Sequence, residues 1–214
     1  MDTLLKDIEA FKNATAGKIP AETRAIMQRA GIEIGAKGAG KNAPRLGDFA
    51  PDFSLPDAMG KEIRLSQIFK TCSVVLIFYR GGWCPYCNLE LRAYQRELDR
   101  FKKAGIEIIA ISPEKPDHAL TTKEKNNLGF EVLSDVKNDV ARQYGLLFDL
   151  PPELIPIYQG FGVDLIRHNS VGAWILPVPG TFAITKGGII KRALADVDYT
   201  NRLEPTDCLT SLSD

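Results

Sequence analysis

The chain has no excess charge, no long apolar run and almost no histidine. Lys plus Arg and Asp plus Glu number 27 each over 214 residues, so the net charge is zero. A nucleic-acid footprint needs a basic excess or stripe. Here the cations are scattered beside acids, as on a solvated face, so no nucleic-acid partner is expected. The longest apolar run, Val74 to Tyr79, is far short of the roughly 20 residues a membrane helix needs, and no membrane partner is expected. Met1 to Glu9 carries charges throughout and lacks the apolar stretch of a secretory leader, which points to a cytoplasmic protein. The two histidines, His118 and His168, are far apart and neither has a partner at ligand spacing. Both read as surface residues, and no metal or bound cofactor is expected. Four cysteines (Cys72, Cys84, Cys87, Cys208) are too few for a disulfide-stapled scaffold.

What is present is a Cys-x-x-Cys in the run Phe78-Tyr79-Arg80-Gly81-Gly82-Trp83-Cys84-Pro85-Tyr86-Cys87. A buried strand leads into it and an amphipathic pattern leads out, so the thiols fall at a strand-to-helix turn. Pro85 suits the first helical position, where its missing N–H is not needed, and this makes Cys84 the N-cap residue. A thiol there meets the positive end of the helix dipole, which favours thiolate. Cys84 is expected to be exposed at the mouth of the turn, and Cys87, one turn inside, less so. Gly81 and Gly82 allow a tight approach, and Trp83 covers the site. Two thiols three apart on a helix share a face and can close a disulfide with little rearrangement. Two core residues that merely happen to be cysteines fit this pattern less well. A zinc site would need two further ligands, with only His118 and His168 to supply them.

Periodicity organises the rest. Residues 3 to 34 read as two helices broken at Pro20. Residues 35 to 44, with three glycines and a proline, read as a linker. Residues 1–45 are thus an N-terminal helical extension, and the main domain is 46–214. There the pattern predicts a hairpin from Phe53–Leu55 to Glu62–Leu65 around Asp57-Ala58-Met59-Gly60, then a short helical turn from Ser66 to Phe69. Strands follow at 74–79, 106–111 and 130–133. Helices are predicted at about 84–103, ended by Gly105, at 116–127 and at 139–144. Residues 146–172 read as a loop insertion in which Pro151-Pro152-Glu153 opens a short helix. A hairpin at 181–185 and 189–194 and a helix from Pro205 to Leu212 close the chain. This is an α/β fold, a mixed central sheet with helices on both faces.

The strand, the Trp-Cys-Pro-Tyr-Cys run and the helix resemble the thioredoxin/glutaredoxin active site. The wider chain resembles the peroxiredoxin superfamily, the alkyl hydroperoxide reductase/thiol-specific antioxidant (AhpC/TSA) family. The matching pieces are Leu46 to Leu55, Val75 to Tyr79, Ala110-Ile111-Ser112, Val132 to Asp135 and Gly180 to Ile184. The resemblance implies a thioredoxin-like fold and a thiol-based oxidoreductase. In the family's Pro-x-x-x-Thr-x-x-Cys register, Cys87 takes the peroxide-attacking position, Cys84 that of the threonine and Arg80 that of the proline. The family's supporting arginine, normally just before the Thr-Phe strand, is missing from Leu176 to Gly180. Pro179 fits the thioredoxin-like cis-proline that packs on the Cys-x-x-Cys.

The resemblance implies a peroxide or disulfide substrate and a Cys84–Cys87 disulfide. It also implies an external thioredoxin-, glutaredoxin- or glutathione-type reductant. The rivals are a disulfide reductase without peroxidase activity and a non-enzymatic redox sensor. Cys72 and Cys208 read as buried, inert thiols. The extension is expected to serve a partner of such a sensor, or to pack on the domain or on a second subunit of a homodimer.

Overall fold

The computed structural model describes residues 3–57, 59–169 and 172–213. Ala58, in the expected first hairpin turn, and residues 170 and 171 lie outside them. The chain starts with helices α1 (Leu4–Thr15) and α2 (Ala21–Ala36). The hairpin β1 (Ser54–Pro56) and β2 (Glu62–Arg64) and the one-turn α3 (Leu65–Ile68) follow. Then come β3 (Ser73–Phe78), α4 (Pro85–Arg96), α5 (Leu98–Lys103), β4 (Ile106–Ser112), α6 (Pro116–Lys125), β5 (Glu131–Ser134) and α7 (Asp139–Gln143). The stretch expected as a loop insertion instead holds β6 (Leu147–Asp149), a 3₁₀ turn at Pro152–Leu154, α8 (Ile155–Gly160) and α9 (Leu165–His168). The chain closes with β7 (Ile175–Pro177), β8 (Gly180–Ile184), β9 (Ile190–Ala195) and α10 (Pro205–Leu212).

The five-stranded sheet runs β5-β4-β3-β8-β9, with β4 parallel to β3 and β5, and β8 antiparallel to β3 and β9. β3 lies in the middle and is buried almost throughout, as its unbroken apolar run requires. The two-residue alternation of a strand then assigns its side chains to two cores. Val74, Leu76 and Phe78 face a layer with Phe182, Ile184 and Tyr144. Val75, Ile77 and Tyr79 face the layer built by α4 and α10, with Leu91, Tyr94 and Leu209. Both cysteines of the motif belong to this second core.

The helix expected over 84–103 is two helices that meet at Glu97, where ψ opens to 0°. Leu91, Tyr94, Leu98 and Phe101 still point into one core across the break. The extension packs on the domain: Leu4 and Ile8 of α1 bury against Ala93 of α4, and Ala30 and Ile34 of α2 bury against Leu150, Leu154 and Tyr158. The backbone N–H groups of Leu4 and Leu5 donate to the carboxylate of Glu204, just before α10. In the glycine-rich stretch, Gly40 lies against Val178, while Asn42 approaches Gly145 so closely that a side chain at 145 would collide with its backbone.

Candidate active site

The loop from β3 to α4 is shaped by what its glycines leave out. Gly81 has φ of +150°, and a Cβ there would run into the Trp83 indole. A Cβ on Gly82 would strike the Thr122 hydroxyl. The Gly82 N–H donates to Glu114 Oε2 at 2.9 Å, and Asn88 Nδ2 donates to the Gly82 carbonyl at 2.8 Å. So anchored, the loop delivers Cys84 as the N-cap of α4 with Pro85 in its first turn.

Cys84 and Cys87 are free thiols, and both are fully buried, which corrects the expectation that Cys84 is exposed. The cover combines the neighbouring Arg80 and Trp83 with Tyr158 and Tyr199, distant in sequence. Arg80 lies over the Tyr199 ring at 4.1 Å and beside the Trp83 ring at 5.4 Å, and Trp83 packs edge-on against Tyr158. Trp83 is thus part of the cover.

Two guanidinium groups flank the sulfurs. Arg80, only 5% exposed, donates from Nη2 to Cys84 Sγ at 3.2 Å and from Nη1 to the Tyr158 hydroxyl at 3.1 Å. It has no carboxylate partner among the described residues. Arg202 donates from Nη2 to Cys87 Sγ at 3.6 Å, pairs through Nη1 with Glu90, and donates to the Tyr199 carbonyl. Glu90, one turn after Cys87 on α4, also accepts from Thr181 Oγ1 at 2.8 Å.

Burial pushes the Cys84 thiol up. A hydrogen bond from Cys87 and the charges of Arg80 and Arg202 outweigh it and hold the thiol well below its ordinary value. Cys87 goes the other way: burial, its hydrogen bond to Cys84 and the Cys84 charge hold its proton on. The two shifts run in opposite directions, so Cys84 is the thiol of the pair that ionises first.

The structure brings Arg80, Gly82, Trp83, Cys84, Pro85 and Cys87 together. Pro179 lines a cavity of about 40 Å³ with Arg80, Tyr158 and Tyr199. The expected cis bond is absent: Val178–Pro179 is trans. The chain runs extended from β7 straight into β8, with the Val178 N–H bonded to the Leu146 carbonyl at 2.8 Å, and no reversal is needed there. Cys72 is only half-buried, contrary to expectation. Cys208 is fully buried, and burial pushes its thiol up to about 12, with Tyr94 Oη 3.3 Å from its sulfur.

Sequence reasoning missed Arg202, Glu90, Tyr158 and Tyr199. The signal open to it was Glu90, a carboxylate on the apolar side of α4 that had to have a cationic partner. Nothing local to residue 202 marks it. Reading His118 and His168 as surface residues also needs correction. Both are half-buried, their rings 4.8 Å apart, beside the buried Glu114. Burial pushes the Glu114 carboxyl up to about 7.

Among the described residues no helix is long and apolar enough to cross a membrane. The sequence profile of the AhpC/TSA family matches residues 46–193. Peroxiredoxin Bcp of Escherichia coli (strain K12) is 35% identical over 105 residues, which cover 49% of this chain and 67% of that protein. The chloroplastic peroxiredoxin Q of Oryza sativa subsp. japonica is 31% identical over 159 residues, 74% of this chain and 60% of the rice protein. Among solved structures, peroxidoxin BcpB from Mycobacterium tuberculosis superimposes with a TM-score of 0.61 at 22% identity, covering 78% of this chain and 95% of that one. The bacterioferritin comigratory protein of Xanthomonas campestris, described with alkyl peroxide reduction activity, gives 0.59 at 16% identity, covering 78% and 96%. The structural likenesses establish the thioredoxin-type fold, and the profile and sequence relatives establish descent: the chain belongs to the AhpC/TSA family and is a peroxiredoxin-like thiol oxidoreductase.

Proposed function

We propose that this chain reduces peroxides through a Cys84/Cys87 dithiol–disulfide cycle in which Cys84 is the attacking thiolate. One observation carries the choice of Cys84: the Arg80 guanidinium sits 3.2 Å from its sulfur with no carboxylate partner among the described residues to compete for it. The N-cap position on a twelve-residue helix adds the dipole.

The thiolate attacks one peroxide oxygen. The S–O bond forms as the O–O bond breaks, Cys84 becomes a sulfenic acid, and the other oxygen leaves as alkoxide or hydroxide and takes up a proton. Arg80 and Arg202 stabilise the negative charge that spreads onto the oxygens. Cys87 then gives up its proton and attacks the Cys84 sulfur, the S–S bond forms, and the sulfenic oxygen leaves as water. Two electrons and the Cys87 proton have passed from the pair to the peroxide, and solvent supplies the second proton, equivalent to the one Cys84 released on ionising. An external thioredoxin-, glutaredoxin- or glutathione-type thiol restores the pair. A cytoplasmic setting, which keeps thiols reduced, suits this cycle.

The cavity beside Arg80 has about 40 Å³, room for a few water-sized groups. Neither thiol lines this cavity and both are fully buried, so a peroxide reaches Cys84 when the aromatic cover of Trp83, Tyr158 and Tyr199 opens.

A second reading has Cys87 attack first. The network Thr181–Glu90–Arg202 favours it, because it aims a guanidinium at the Cys87 sulfur, in the family's attacking register. Both readings end in the same disulfide. Mass spectrometry of peroxide-treated protein should show Cys84 linked to Cys87, with Cys72 and Cys208 free. A Cys84–Cys208 link or an intermolecular link as the main product would overturn the cycle.

A further inference from the structure

We propose that Glu114, His118 and His168 form a binding site for one zinc-class divalent cation, beside the redox loop and separate from the two thiols. Their ligand atoms all lie within 4.8 Å of one another. Two imidazoles and one carboxylate are a donor set for first-row divalent ions, with three protein ligands leaving an open position.

The backbone holds the three together. Glu114 and Asn169 pair in an isolated antiparallel bridge, and the Lys115 N–H donates to the His168 carbonyl at 3.2 Å. This brings the end of α9 against the start of α6, where His118 lies in the first turn. Glu114 has an oxygen for each duty. Oε2 accepts the Gly82 N–H, while Oε1 lies 3.9 Å from His168 Nδ1, a buried nitrogen with no hydrogen-bond partner among the described residues.

Tetrahedral zinc, with bonds of about 2.0–2.1 Å, wants its donor atoms about 3.4 Å apart. The triad, with Glu114 Oε1 and His168 Nδ1 3.9 Å apart and no pair beyond 4.8 Å, reaches that spacing when its pairs close by about 0.5–1.4 Å. The site opens on a polar cavity of about 310 Å³ that also touches Gly82, Trp83, Asn88 and Arg92, so the open position is reachable by solvent. A cation held there grips the same carboxylate that anchors Gly82, and metal binding and the state of the dithiol are then coupled reciprocally.

The thiols are the competing ligands, so the test uses the full chain as wild type and as the C84S/C87S variant. Each is titrated calorimetrically with Zn²⁺ and spectroscopically with Co²⁺. One equivalent should bind to both, and Co²⁺ should give the visible bands of low coordination without a thiolate charge-transfer band in C84S/C87S. H118A and H168A in that background should each weaken binding by about tenfold or more, as loss of a ligand costs at least what loss of its supporting partner does. H118A changes a half-buried helix residue, and circular dichroism checks that it keeps its fold. No binding in C84S/C87S, or binding unchanged in H118A, overturns the site.

Discussion

At the residue scale the central contrast is between two thiols three positions apart with opposite proton affinities. Burial raises both thiols and both guanidiniums lower both; what separates them is the hydrogen bond between the sulfurs, which lowers Cys84 and raises Cys87, and the Cys84 charge felt by Cys87. Replacing Arg80 by Met removes the nearer charge and leaves the packing. The Cys84 thiol should then titrate at higher pH, as followed by thiolate absorbance. An unchanged titration would mean that the helix terminus and Arg202 suffice.

The same contrast sets a pH dependence. The folded state releases the Cys84 proton more readily than the unfolded chain, whose thiols titrate near about 8.5. Cys84 therefore contributes stability that is complete above that range and is lost as pH falls through its folded value. Cys87, raised, acts with the opposite sign: its contribution is complete below that range and lost as pH rises beyond it. The C84S variant should show a flatter stability profile than the reduced wild type from acid pH up to about 8.5. Denaturant unfolding at a series of pH values measures this, and parallel profiles would contradict it.

At the scale of elements, the part of the site legible in the sequence was the local part. A buried strand, two glycines, a capping cysteine and a proline in the first turn all depend on neighbours a few residues away, and they fell where periodicity placed them. What was illegible was carried by distant pairs. Arg202 reaches Cys87 across the whole second half of the chain, Tyr158 meets Arg80 from a segment that reads as an insertion, and Tyr199 covers Arg80 from beyond β9. The break at Glu97 was also hidden, because the apolar spacing of Leu91, Tyr94, Leu98 and Phe101 continues through it. The trans Pro179 comes just after β7, whose pairing with β6 no local signal announces.

The loop account makes its own prediction. Gly82→Ala forces a methyl group against the Thr122 hydroxyl and should cost about 1–3 kcal/mol, the usual range for overpacking. Adding Thr122→Ala should recover part of that loss in a double-mutant cycle by urea unfolding. Simple additivity would place the strain elsewhere.

At the scale of the whole molecule, the family profile stops short of the first 45 residues, yet these pack as part of the same body. α1 buries Leu4 and Ile8 on the outer side of α4, and Asp7 pairs with Arg96 at 2.6 Å. α2 packs on the segment that supplies Tyr158. The extension thereby braces from outside both the helix that carries the cysteines and the aromatic cover over them. Leu4→Ala should destabilise the full chain by about 2–5 kcal/mol, the range for a buried leucine. A loss under 0.5 kcal/mol, within the surface-substitution range of about ±0.5 kcal/mol, would show the extension to be only loosely attached.

The central claim is that Cys84 meets the peroxide and Cys87 resolves it. Single-turnover peroxide consumption by the two serine variants tests this most directly. Cys84→Ser should consume no peroxide. Cys87→Ser should consume one equivalent and stop at a Cys84 sulfenic acid that a dimedone-type probe traps. Full first-turnover consumption by Cys84→Ser, with none by Cys87→Ser, would contradict the assignment and give the attack to Cys87.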